Sequence, residues 1–145
     1  MKLVFTFSIR ILVLVVSSHS PVFGEDWLQF RGSGSAGVGK GTLPRKWNDE
    51  ENIIWKTALP EVETVREDHG YTSATPVASE THVFVFFGKS GVSCFDHDGN
   101  LKWNTKVGST LNRWGSAASL VLHEDAVLVN ACVESESLIA LNQSD

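Results

Sequence analysis

The sequence predicts an all-β fold, on three observations. From Tyr71 onward the apolar residues are β-branched or aromatic and come in short bursts, separated by clusters of Gly, Asp, Asn and Ser. No stretch keeps the period of about 3.6 residues that marks an amphipathic helix. The segment after residue 107 repeats the segment before it, which indicates a fold built from one repeated β unit.

The first unit is predicted to be a four-stranded antiparallel meander. The connection 97–100 carries the strongest turn signal, Asp98-Gly99, because Gly adopts a positive φ without steric cost and Asp hydrogen-bonds to its own backbone. The other connections are also short enough for hairpins. The strands are expected at 73–78, 82–87, 92–96 and 101–106.

Three stretches of this unit recur further along the chain. The matches are 73–77 with 116–120 and 83–86 with 126–129, both at an offset of 43, and 92–96 with 138–142 at an offset of 46. The fourth strand has an earlier counterpart, because residues 54–57 are similar to 102–105 and place Trp55 where the later unit has Trp103. The chain is therefore predicted to be periodic, with a tryptophan closing each unit.

A repeated four-stranded unit of this length has the size of a β-propeller blade, which buries its faces only against neighbouring blades. A tryptophan can fill the space between two blades while its N–H bonds to a backbone carbonyl. We therefore predict an incomplete β-propeller of four-stranded antiparallel blades. Its parts are an N-terminal segment at 25–60 with a closing strand carrying Trp55, a first full blade at 61–107 and a truncated second blade at 108–145. Because such a piece leaves faces and edges open, we expect it to aggregate or pair.

Residues 94–103 resemble the tryptophan-docking motif of the quinoprotein-type propellers, with one residue fewer and Cys94 in place of Ala. Residues 26–32, 52–57 and 114–117 resemble the opening of secreted bacterial, planctomycete-type PQQ-binding-like β-propeller repeat proteins. Leu28 and Ser33 stand where that family usually has proline. The family's members are several times longer, so we expect this sequence to be an N-terminal fragment. The resemblance implies that the docking motif is structural, with its residues at Trp55, Asp96, Gly99 and Trp103.

The first 24 residues are predicted to be a signal peptide, cleaved after Gly24. Lys2 and Arg10 lead into the apolar run 11–16, which is shorter than the roughly 20 residues that span a bilayer. We therefore expect a periplasmic or secreted protein without a transmembrane helix after cleavage. From Glu25 onward ten basic residues face 17 acidic ones, a balance that argues against nucleic acid as a partner.

Several patterns with possible chemical meaning are better explained by structure. The glycines of 32–39 resemble a phosphate-binding loop, but Gly41 stands where such a loop needs Ser or Thr to reach magnesium. The two cysteines, Cys94 and Cys132, lack metal-site spacing and are expected to be small buried hydrophobes. Glu134 and Glu136 are expected to form a solvated hairpin tip.

The loops at one end of the predicted blades form the candidate binding face, because loops on a rigid scaffold carry function disproportionately. Arg113 and Trp114 are the best pair, since both residue types are common in binding hot spots. Trp114 has an equally weighted alternative, a structural plug beside Gly115. The loops are 59–71, 88–91, 108–114 and 132–137, and the candidate residues are His69, Tyr71, Lys89, Asn112, Arg113 and Trp114.

The chain carries no recognisable catalytic constellation, so whether it is an enzyme stays open, with a non-catalytic role favoured. The expected function is a periplasmic or secreted binding or scaffold module that contacts a protein partner or an exported polymer, with no cofactor evident. The alternative is a PQQ-dependent alcohol or sugar dehydrogenase. Its quinone and calcium ligands would then lie beyond the end of this chain.

Overall fold

A computed structural model describes residues 25–40, 44–58, 73–112 and 114–144. The predicted all-β fold is confirmed, since these residues form two antiparallel sheets of four and three strands. Two short 3₁₀ turns, Ser33–Ser35 and Gly88–Ser90, complete the regular structure of the described ranges. The strands are β1 Val77–Ala78, β2 His82–Phe86, β3 Val92–Asp96, β4 Leu101–Thr105, β5 Val121–His123, β6 Ala126–Ala131 and β7 Ser137–Asn142.

The first sheet has the strand order β1-β2-β3-β4, which confirms the predicted meander. The prediction for β3 matches its bounds, whereas β1 begins at Val77 instead of residue 73. Two features keep the preceding residues out of the ladder. Pro76 has no backbone N–H to donate, and the N–H of Thr75 donates to Ser119 Oγ at 3.1 Å, in the segment before β5.

The second sheet, β5-β6-β7, repeats the antiparallel pairing of the first. The residues that correspond in the two sheets differ from those expected from the sequence. The pair Val77↔Phe84 recurs as Val121↔Leu128. The pair Phe84↔Cys94 recurs as Leu128↔Ala140. The offset is therefore 44 for the first two strands and 46 for the third, so the expected 43 is wrong by one residue. The first strand of this unit lies at Val121–His123 instead of 116–120.

A hydrophobic core joins the two sheets. Its first-sheet side includes Phe84 and Cys94, both 0% exposed, with Trp103 packed beside them. Its second-sheet side includes Val127 and Val129, also 0% exposed. Because successive residues of a strand point to opposite faces, the odd-numbered residues of β6 lie in this core and the even-numbered ones lie on the opposite face.

The N-terminal segment ties the first strands of the two sheets together. Trp27 forms an isolated antiparallel bridge with Ala78, with N···O distances of 2.8 and 2.9 Å. The next residue, Leu28, accepts a hydrogen bond from the N–H of Leu122 at 2.7 Å. Residues 44–58, which carry Trp55, form no strand ladder.

Some expectations fall outside the described residues, among them the signal peptide at 1–24 and the candidate residues His69, Tyr71 and Arg113. Within the described ranges, no helix has the length and apolar character needed to cross a membrane.

Candidate functional site

The connections between strands differ at the two ends of the sheets. Alternate connections of an antiparallel meander emerge at opposite ends. At one end they are tight, comprising 79–81, 97–100 and 124–125. At the other end lie 87–91, the long connection 106–120, and 132–136, which include the described part of the predicted binding face. The candidate site is this loop end.

Two of these loops meet directly. The backbone N–H groups of Ser109 and Thr110 both donate to the carbonyl oxygen of Glu134, each at 3.1 Å. Gly108 has φ +147°, and a Cβ at its position would clash with the same carbonyl oxygen. Glycine is therefore required for the close approach of the two loops.

Glu134 is 3% exposed, so the expectation of a solvated hairpin tip is wrong for this residue. Its neighbour Glu136 is exposed, as expected. Burial follows from the loop that begins at Gly108, which folds across the β6–β7 connection. A buried carboxylate is costly unless it is paired or hydrogen-bonded; within the described residues Oε2 of Glu134 accepts no hydrogen bond, while the residue has a further interaction in the protein.

The remaining described candidate residues lie in two different loops of this end. Lys89 lies half-buried in the 3₁₀ turn Gly88–Ser90. Asn112 is exposed and caps a turn, since its Oδ1 accepts the N–H of Trp114 at 3.0 Å and its carbonyl accepts that of Gly115 at 2.9 Å. The Trp114 side chain is 55% exposed. The structure thus presents an aromatic ring, an amide and a lysine at the same end.

At the opposite end, Trp55 lies against the β3–β4 turn of the first sheet. Its indole Nε1 donates to the carbonyl oxygen of His97 at 3.1 Å, and its ring centroid lies 5.8 Å from that of Phe95. Gly99, at φ +85°, lets the ring approach, because a Cβ there would lie 2.6 Å from Trp55 ring atoms. Phe95, His97 and Gly99 thus form the docking site of the Trp55 indole.

Asp96 organises this turn from within. Its Oδ1 accepts the backbone N–H groups of Asp98 at 3.1 Å and Asn100 at 2.9 Å, and the Asn100 side-chain amide donates to both carboxylate oxygens. The Asn100 side chain, followed by its backbone N–H, holds the pKa of the Asp96 carboxyl below its ordinary value. Lys102 lies 3.5 Å from Asp96 Oδ2 and favours the same ionised state.

The same arrangement recurs between the two sheets. Trp103 Nε1 donates to the carbonyl oxygen of Gln143 at 3.1 Å, and its ring centroid lies 5.8 Å from that of Phe84. Gln143 follows Asn142 as His97 follows Asp96, so the two accepting carbonyls are equivalent in the repeat.

The residues that accept the indole N–H groups share a second contact. His97 Nε2 donates to the carbonyl of Ser79, in the β1–β2 turn, at 3.1 Å. Gln143 Nε2 donates to the carbonyl of Glu124, in the β5–β6 turn, at 2.8 Å. Neither residue was predicted from the sequence, because a His and a Gln share no residue pattern that marks this role.

The two cysteines differ in burial, so the expectation that both are buried holds for one of them. Cys94 is buried in β3, and burial raises the pKa of its thiol to about 11. Cys132 is exposed in the turn after β6, so the expectation of a buried hydrophobe is wrong for it. Among the described residues, no group of three or more His, Cys, Asp or Glu is placed to hold a metal ion.

Comparison with known proteins adds no relative: no protein-family model matches the chain, and no curated protein matches it in sequence.

Proposed function

We propose that the chain is part of a β-propeller of the PQQ-like repeat type and serves as a non-catalytic binding or scaffold module outside the cytoplasm. The observation that carries this proposal is the repeated indole contact. Trp55 bonds to the carbonyl of His97, and Trp103 bonds to the equivalent carbonyl of Gln143. Each tryptophan therefore reaches from one unit to the turn of the next.

A repeated contact of this kind favours a propeller over a two-sheet sandwich. In a sandwich the two inner faces meet once, and no rule requires the sheets to share a register. Here the ladder Val77↔Phe84 recurs as Val121↔Leu128, so both sheets are built alike. Two sheets that are built alike and linked by the same contact support the proposal that they are stacked as propeller blades.

The loop end is the proposed binding face. Trp114 is a large exposed ring at this end, next to the exposed amide of Asn112. Exposed aromatic rings supply contact area for a protein surface or for the faces of sugar rings. The predicted signal peptide at 1–24 favours a partner met outside the cytoplasm, either another exported protein or an exported polymer.

The test compares Trp114 with Trp47, an exposed tryptophan in the N-terminal segment that is 72% exposed. A photo-crosslinkable phenylalanine placed at either position in the native cells reports protein partners. Retardation of the purified chain in gels containing soluble glucan or xylan reports polymer binding. We expect a discrete adduct, or loss of retardation on Trp114→Ala, at position 114 and not at 47. Absence of both effects, or equal effects at the two positions, would refute the module.

The dehydrogenase alternative is not favoured by the described residues. The enzymes of that class carry two adjacent cysteines, whereas Cys94 lies in β3 and Cys132 in the turn after β6. The described carboxylates form no cluster suited to calcium. Reconstitution with PQQ and calcium, followed by dye reduction across a panel of alcohols and sugars, tests it. Turnover above the protein-free rate would overturn the non-catalytic proposal.

A further inference from the structure

The two ends of the sheets differ in the charge that they expose. The tight turns opposite the loop end present the exposed acidic side chains of Glu80, Asp98, Glu124 and Asp125. At the loop end, the segment 107–122 contains a single charged residue, Arg113, which lies outside the described residues. Since a charged partner is recognised through complementary charge, the described part of this segment is suited to an uncharged ligand.

The long connection 106–120 is fixed to the sheets near both of its ends. Val107 is 4% exposed and Leu120 is 0% exposed, and both belong to the core that the two sheets share. Two backbone N–H groups of the connection donate to the carbonyl oxygen of Glu134, and the Ser119 hydroxyl accepts a backbone N–H from the segment before β1. A ligand therefore meets an ordered loop, which lowers the entropy cost of binding.

Between these anchors the loop exposes hydrogen-bonding groups that the described part of the fold leaves unused. The side chains of Ser109 and Thr110 are exposed, and neither hydroxyl makes a hydrogen bond within the described ranges. Asn112 accepts the N–H of Trp114 through its Oδ1, whereas its Nδ2 donates to no group among the described residues. Sugar hydroxyls both donate and accept hydrogen bonds, so they match all three groups.

Trp114 adds an apolar surface next to these polar groups. Its side chain is 55% exposed, and the preceding Leu111 is 54% exposed. The turn capped by Asn112 holds the backbone of Trp114, which also has a further interaction within the protein. An indole face packs against the apolar C–H face of a sugar ring while its hydroxyls stay available at the ring edge. An exposed ring also leaves room for a polymer to continue on either side.

We propose that the segment 108–115 binds an uncharged polysaccharide. The Trp114 indole packs against the face of one sugar ring, and the side chains of Ser109, Thr110 and Asn112 hydrogen-bond to hydroxyls of the polymer. The inference rests on the binding face proposed above and names its ligand class. Propeller sheets pack face to face, so any further sheet covers a face of the stack and leaves the loop end open.

Asn112→Asp separates contact with the ligand from the structure of the loop. An aspartate keeps an oxygen that accepts the N–H of Trp114, but it has no side-chain N–H to donate to a sugar hydroxyl. The matched control is Asn48→Asp. Asn48 is also exposed, and its Oδ1 accepts the backbone N–H groups of Glu50 and Glu51 at 2.8 and 2.9 Å in a turn of the N-terminal segment. Both variants should unfold at the temperature of the natural chain.

Affinity electrophoresis of the full chain, exported from a bacterial host, measures binding. The native gels contain a series of concentrations of hydroxyethyl cellulose or galactomannan, which are uncharged, or of polygalacturonate, which is acidic. We expect retardation by at least one uncharged polymer, with an affinity that titration calorimetry finds unchanged between low and high salt. Asn112→Asp should weaken this affinity about 2- to 10-fold and Trp114→Ala at least about 10-fold. Asn48→Asp should leave it unchanged.

The opposite results overturn the inference. They are retardation by polygalacturonate alone, an affinity that falls as salt is added, equal losses for Asn112→Asp and Asn48→Asp, and no retardation by either uncharged polymer. A protein adduct at position 114 without retardation overturns the polysaccharide and leaves the binding module in place. Absence of both the adduct and the retardation refutes the module as well.

Discussion

Replacement of Gly99 by alanine tests whether docking of the Trp55 indole on the β3–β4 turn stabilises the protein. The matched control is Gly34→Ala, because Gly34 also has a positive φ, +60°, but no atom lies within 4 Å of its added Cβ. The control should cost only the left-handed backbone conformation, about 1 to 2 kcal/mol. At Gly99 the added Cβ would lie 2.6 Å from the Trp55 ring, so the indole must move.

Displacement of the Trp55 indole removes its hydrogen bond to the His97 carbonyl and its ring contact with Phe95. A hydrogen bond contributes about 1 kcal/mol net, and an aromatic pair contributes about 0.5 to 1.5 kcal/mol beyond its buried area. Gly99→Ala is therefore expected to lower the free energy of unfolding by about 2.5 to 4.5 kcal/mol, somewhat more than twice the cost of Gly34→Ala.

The assay is urea unfolding followed by far-ultraviolet circular dichroism at one fixed protein concentration, since association makes apparent stability depend on concentration. A double-mutant cycle with Trp55→Ala isolates the contact. In that background Gly99→Ala should cost no more than Gly34→Ala, because the ring is gone. Equal costs of Gly99→Ala with and without Trp55 would refute the reasoning.

Three further predictions concern single groups. Trp103→Phe keeps a ring in the core but loses the indole hydrogen bond, so urea unfolding should show a loss of about 1 kcal/mol or somewhat more; an unchanged midpoint would contradict this. Of the two thiols, exposed Cys132 should react with a disulfide reagent at mildly alkaline pH, while Cys94 stays unreactive until the protein unfolds, because its pKa is about 11 and it is buried; two fast thiols in the native protein would contradict this. The folded-state pKa of Asp96 is lowered, so its contribution to stability is complete above its ordinary value of 3.8 and is lost as the pH falls below it. Asp96→Asn should therefore flatten the acid limb of a stability profile, and parallel profiles for the variant and the natural chain would disprove that role.

Local signals predicted the last three strands of the first sheet to within one residue, but not the start of β1. The bounds of β3 agree with the prediction, and Gly99 has the positive φ that the Asp98-Gly99 turn requires. Both features depend on residues within a few positions of each other, where alternation and turn preferences act. The order of the meander followed from the short connections, which leave neighbouring strands little choice of partner.

The same local signals could not determine the exact residue offset between the two units. Residues 83–86 and 126–129 are apolar at every position, so a shift of one residue leaves the pattern unchanged while it exchanges the two faces. The residues that pair in the two sheets determine this offset, which is 44 for the first two strands. The burial of Glu134 was not predicted because it depends on a distant part of the chain. The loop at 106–110, which lies 24 or more residues earlier, covers it.

The direction of the two indole contacts constrains how the sheets are related. Trp55 reaches forward along the chain to His97, and Trp103 reaches forward to Gln143. If a two-fold axis related the sheets, one contact would have to run backward, so the relation is a repeated step. A repeated step leaves two unlike end surfaces, here the face of the second sheet that carries Leu138 and the face of the first sheet that carries Val83. A further sheet that continues the same step, whichever chain supplies it, packs head to tail, because the front of one unit then meets the back of the next.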